Sequence, residues 1–126
     1  MAELLELHRR AMQEFGRRVH AVEADQWHER TACTDWDVHT LVNHLVSEQL
    51  WVPPLLNGAR MADVGDRYDG DQLGDDPAGA WDRASHAARE AWIRPGALDQ
   101  TVHLSFGESP ATLYCWQMTL DLGVHA

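Results

Sequence analysis

Apolar residues return every three or four positions over most of the chain, the period of a helix with one buried face. From Ala2 to Val22 the recurring set is Leu4, Leu5, His8, Ala11, Met12, Phe15, Val19 and Val22. Arg9, Arg10, Glu14, Arg17 and Arg18 fall on the opposite side, and Gly16 weakens the helix interior slightly. A second helical segment starts at Thr34, which stands at N-cap spacing from Asp37. Its stripe is Trp36, Leu41, Val42, Leu45, Val46 and Leu50, with His44 at the edge and Glu48 one turn on. Pro53-Pro54 is expected to kink or end it, leaving Leu55 and Leu56 as a short continuation.

Gly58 to Asp76 has no periodicity and is rich in glycine and aspartate, so it reads as an acidic, solvated connection. Its length is unusual for a compact bundle, and long connections often border a site. Asp76 as cap and Pro77 in the first turn open a third helix, which runs to about Ile93 and stops at Pro95-Gly96. Val102, Leu104 and Phe106 alternate between Thr101 and Phe106, an extended stretch. Ser109 and Pro110 then predict the start of a last helix carrying Leu113, Trp116, Met118, Leu120 and Val124. The expected fold is all-α, an antiparallel-type four-helix bundle whose long second connection permits a non-adjacent crossover.

The length of 126 residues allows one domain, 1–126, with a real core. Six tryptophans offer bulk to fill it. A net charge of −10 argues against nucleic acid and anionic membrane partners. No apolar run is long enough to span a bilayer. The two cysteines, Cys33 and Cys115, form no metal or redox spacing. With no signal peptide, a reducing, cytoplasmic setting with free thiols is expected.

Asp121 and His125 change the picture. Four residues apart on a helix, they offer an oxygen and an imidazole nitrogen to one point in space. His44 from a facing helix would complete a three-ligand site with a position left open, the pattern of a catalytic divalent metal. Zinc is expected, although nickel and iron accept the same donors. Glu48 reaches the same cavity as a fourth ligand, a general base or an acceptor for an imidazole N–H. His39 and His20 are expected outside, His86 facing solvent, and His103 near the pocket mouth.

Thr31-Ala-Cys-Thr-Asp-Trp-Asp-Val38, followed by Leu41-Val-Asn-His44-Leu-Val46, resembles the second-helix signature of the mycothiol-dependent maleylpyruvate isomerase metal-binding domain, within the DinB-like bundle superfamily. Trp51 to Leu56, Ser105 to Glu108 and Asp121 to His125 continue the likeness in order. The resemblance implies a DinB-like four-helix bundle of actinobacterial type with a metal held by His44, Asp121 and His125. It also implies a low-molecular-weight thiol such as mycothiol, activated at the metal against a small electrophilic substrate. Maleylpyruvate itself is a poor expectation, because the isomerase has a further domain. The acidic ligand is commonly glutamate in the isomerase and is the shorter aspartate here, which draws the helices closer or leaves a water bridge.

Relatives run on past the last histidine, whereas this sequence stops at Ala126, so the last helix reads as truncated. His125 is then expected on a turn that frays, in a fragment of a longer product or an end supported by another subunit, and a homodimer is expected. The alternative to an enzyme is a non-catalytic metal-binding domain or a helical interaction or accessory module.

Overall fold

The computed structural model describes residues 2–31, 36–104 and 107–126. Four long helices form the body: α1 (Ala2–Ala21), α2 (Val38–Leu56), α4 (Pro77–Ile93) and α5 (Ala111–His125), with a four-residue α3 (Met61–Val64) in the second connection. A short antiparallel hairpin, β1 (Thr101–Leu104) and β2 (Gly107–Pro110), precedes α5, with Val102 opposite Ser109. The chain is thus mostly helical, as its periodicity predicts, and the extended stretch at 101 is a true strand.

The buried face of α1 is Leu4, His8, Met12, Phe15 and Val19, while Arg9 with Glu6 and Arg17 with Glu14 pair in solvent. Gly16 is no mere weak point: a Cβ there would meet Trp81 Nε1 at 2.9 Å. The glycine lets α1 approach the indole of α4, where Phe15 also packs with ring centroids 4.9 Å apart. Small residues Ala80, Ala84, Ala88 and Ala91 line the buried face of α4 and permit close approach. Trp81 and Trp92 are buried, but Trp116 is 42% exposed, so the tryptophans do not all serve the core.

α2 packs on α4 and α5, and α1 packs on the same two, so α1 and α2 occupy opposite corners. The long second connection therefore joins adjacent helices. The diagonal crossings of the bundle fall in the first and third connections, α1 to α2 and α4 to α5, contrary to expectation. Segment 57–76 is fastened along α2: Asn43 Nδ2 donates to the Gly70 carbonyl (2.9 Å), Asn43 Oδ1 accepts from the Gln72 amide (2.7 Å), and Ser47 Oγ donates to the Tyr68 carbonyl (3.0 Å).

Three helix boundaries differ from expectation. α2 begins at Val38, not Thr34, because Asp37 is the cap and its Oδ1 accepts from the Thr40 amide at 2.8 Å; Thr34 lies outside the described residues. Pro53 and Pro54 do not end α2, which runs on through them to Leu56. They remove the amides that would bond the Gln49 and Leu50 carbonyls, and the Asn57 amide then closes the end on the Pro53 and Pro54 carbonyls. At the last helix, Ser109 and Pro110 belong to β2, and α5 begins one residue later without a side-chain cap.

α5 leaves an apolar stripe in solvent: Leu113, Trp116, Leu120 and Val124, the last 77% exposed. Among the described residues no helix is long and apolar enough to cross a membrane.

Candidate metal centre

One face of α2 carries Asn43 and Ser47, which hold the long connection; the neighbouring face carries His44 and Glu48 and looks at α5. The i, i+4 spacing stacks His44 over Glu48, and the same spacing on α5 stacks Asp121 over His125. Where the two rows meet, His44 Nε2 is 3.2 Å from Asp121 Oδ2 and 3.4 Å from Glu48 Oε1. His125 Nε2 is 3.1 Å from Asp121 Oδ1. One carboxylate thus sits between two imidazoles, and the shorter aspartate reaches His44 directly.

The structure brings all four residues together, with one rearrangement of emphasis. The most compact group is His44, Glu48 and Asp121, whose ligand atoms lie within 4.8 Å of one another. His125 adjoins it from the other oxygen of Asp121. His103 lies in β1 with Nδ1 3.9 Å from Glu108, His86 pairs with Glu90 in solvent, and His20 pairs with Asp82 on the exterior. His39 is half-buried beside Asp71.

The donor set fits a divalent ion. Bonds of about 2.1 Å to nitrogen and oxygen donors put neighbouring donors roughly 3.0–3.4 Å apart in octahedral or tetrahedral arrangements. The His44–Asp121, His44–Glu48 and His125–Asp121 contacts lie in that interval. Two carboxylates side by side, half out of water, also call for a cation. Without one, burial and the neighbouring Asp121 push the Glu48 carboxyl up to about 9, so it keeps a proton near neutrality. Burial pulls Asp121 in the same direction, but hydrogen bonds from His44 and Glu48 and the charge of both imidazoles outweigh it and hold Asp121 below the usual carboxylate range.

Trp36 is the residue whose role the pattern misassigns. Its place in the apolar stripe of a helix is not what the structure shows: it precedes α2, and its indole lies 4.9 Å from the His44 ring and 6.5 Å from the His125 ring. Its carbonyl accepts from Thr31 Oγ1 at 2.9 Å, which holds Trp36 in place before α2. The indole packs beside both imidazoles, while the His44 side chain stays 37% exposed. A helical period assigns every apolar residue to the core, so nothing in it flags such a role.

The described profile of the mycothiol maleylpyruvate isomerase N-terminal domain matches residues 8–126. The chain belongs to that family. It is a DinB-like helical domain, and the family is associated with mycothiol and with metal binding. Two proteins of Mycobacterium tuberculosis, one from each of two strains and both described only as uncharacterized, are 29% identical over 124 residues, covering 94% of this chain and 61% of each relative. The chain therefore spans about three-fifths of the length of the curated relatives it matches. No solved structure matches it.

Beside the centre lies a cavity of about 250 Å³ that Glu48 itself lines. The long connection borders it through Met61, and β1 through Leu104.

Proposed function

We propose that this domain, 1–126, binds a divalent metal through His44, Asp121 and His125 and uses it to activate a low-molecular-weight thiol of the mycothiol kind against a small electrophile, as a transferase or isomerase. The observation that carries the reading is the convergence of imidazole and carboxylate donors from α2 and α5, next to a cavity, in a chain of this family. Zinc is the proposed ion, with nickel and iron as alternatives that accept the same donors. A divalent ion there supplies Lewis acidity and favours the thiolate over the thiol.

The chain's own residues do the rest. Trp36 packs beside the two imidazoles and supports their placement. Glu48, with one face on the cluster and one on the cavity, gives up its own proton beside a bound cation and is then placed to take the proton a thiol gives up at Oε1. A second assignment, Glu48 as a ligand in place of His125, is favoured by the tight mutual approach of His44, Glu48 and Asp121. Metal titration separates the two: His125→Ala loses stoichiometric metal under the first and keeps it under the second.

Thiol-dependent turnover of a panel of electrophiles tests the catalytic half. Turnover that needs both thiol and metal supports it; metal binding with no turnover leaves a non-catalytic metal domain. A cytoplasmic setting is proposed, consistent with thiol chemistry. A homodimer through α5 is proposed as well. In a chain of net charge −10, the exposed stripe of α5 carries no charge, so two copies can meet there without repulsion.

A further inference from the structure

The cavity beside the centre has a chemical character of its own. Its walls are Trp51 and Leu55 of α2, Met61 of α3, Leu104 of β1 and Met118 of α5. Its polar groups are Glu48 at the metal end, the Tyr114 side chain and the amide of Gln117. Among the described residues none that lines it is basic. The whole chain has no lysine, and α5 and the hairpin contain no arginine.

An anionic substrate needs a cationic partner or a fork of donors when it leaves water. The wall offers no cation and no guanidinium fork, only the single donors of Tyr114 and Gln117. A bound divalent ion does not supply the missing charge either, because the two carboxylates of the cluster cancel it. A thiol that gives its proton to Glu48 leaves that balance unchanged, so the centre gains no positive charge to offer an anion. At about 250 Å³ the space falls below the roughly 300 Å³ at the low end of drug-sized sites, so the occupant is small.

The geometry points to a small, uncharged, largely apolar electrophile as the occupant of this cavity, oriented by Gln117 and Tyr114 with its reacting end toward Glu48, and against a dicarboxylate. Maleylpyruvate, the substrate in the family's description, carries two carboxylates, so this chain is inferred to act on a different class of molecule. The inference rests on the metal centre only for where the reacting end lies. The charge preference belongs to the walls.

Equilibrium binding of dimethyl phthalate and phthalate, an uncharged and a dianionic probe on one ring, tests it with the full chain, both metal-free and zinc-loaded. The diester is expected to bind at least tenfold tighter than the dianion in both forms. Met118→Arg, at a half-buried wall position, is expected to weaken the diester and to bring phthalate to parity or better. Gln117→Arg, at an exposed position on the rim, provides the same test should the first variant fail to fold. Phthalate binding as tightly as the diester overturns the inference, as does no binding of either probe, or diester binding that neither arginine moves. Failure of the metal reading shows separately, as absence of zinc uptake with the diester preference intact.

Discussion

His8 shows how much a single side chain reveals once its neighbours are known. It lies on the apolar side of α1, where a histidine reads as a hydrogen-bonded core or rim residue. It is fully buried, with Nδ1 3.0 Å from Arg89 and its ring edge-on to Trp92. Burial, helped by the Arg89 charge, pushes its pKa down to about 4. The unfolded chain takes up a proton near 6.5 that the folded chain refuses until about 4, so stability is full above pH 6.5 and falls as the pH drops across that window. At about 1.4 kcal/mol per unit, the loss is expected to be about 3 kcal/mol. Denaturant melts from pH 7.5 to 4.5 check this, and His8→Phe is expected to flatten the slope between pH 6.5 and 4.5. Glu48 makes a second prediction at this scale. Glu48→Gln removes a charge from the cluster and keeps its shape. Zinc affinity is expected to fall at least tenfold, by calorimetric titration, with the metal-free melting temperature unchanged or raised. Asp121, His125, His44 and Glu48 were all legible as chemistry from i, i+4 spacing, because that spacing fixes which residues share a face. Which face meets which is set by packing. The partnership of Glu48 with Asp121, and Trp36 over the imidazoles, therefore needed the structure.

At the scale of elements, the four helices follow from apolar periodicity and the ends do not. The Asp76 cap with Pro77 was readable because both signals agree. Thr34 was expected as the cap with Asp37 at N3, whereas the amide of Thr40 bonds to Asp37, which is itself the cap. Pro53-Pro54 carries a strong local signal to break, yet tertiary burial of Val52, Leu55 and Leu56 keeps α2 intact through it. Gly16 carries the opposite lesson: its low helix propensity is offset by the contact it allows between α1 and α4. Gly16→Ala gains roughly 1 kcal/mol in helix propensity but forces the buried Trp81 indole to move, at roughly 1–3 kcal/mol for overpacking. A net loss of about 1 kcal/mol is expected, seen as a lower midpoint in thermal melts. A raised midpoint would show that Trp81 repacks freely.

For the whole molecule, the arrangement matters more than the inventory. Placing α1 and α2 at opposite corners lets α2 face α5, and that facing pair makes the centre. The same choice puts the long connection against α2 beside the site, where its length becomes useful as one wall of the cavity. The uncharged stripe on α5 predicts association. Sedimentation velocity is expected to show a concentration-dependent dimer that Leu120→Glu, at a 61% exposed position, shifts to monomer. A monomer at all concentrations would leave the stripe without this partner. The central claim is that α2 and α5 together hold one divalent ion. Elemental analysis of the purified chain after zinc loading and exhaustive dialysis tests it most directly, with His44→Ala and Asp121→Ala as controls shown by circular dichroism to be folded. About one zinc per chain in the parent and loss of it in both folded variants is the predicted result; no retained metal in the parent, or full retention in either variant, contradicts it.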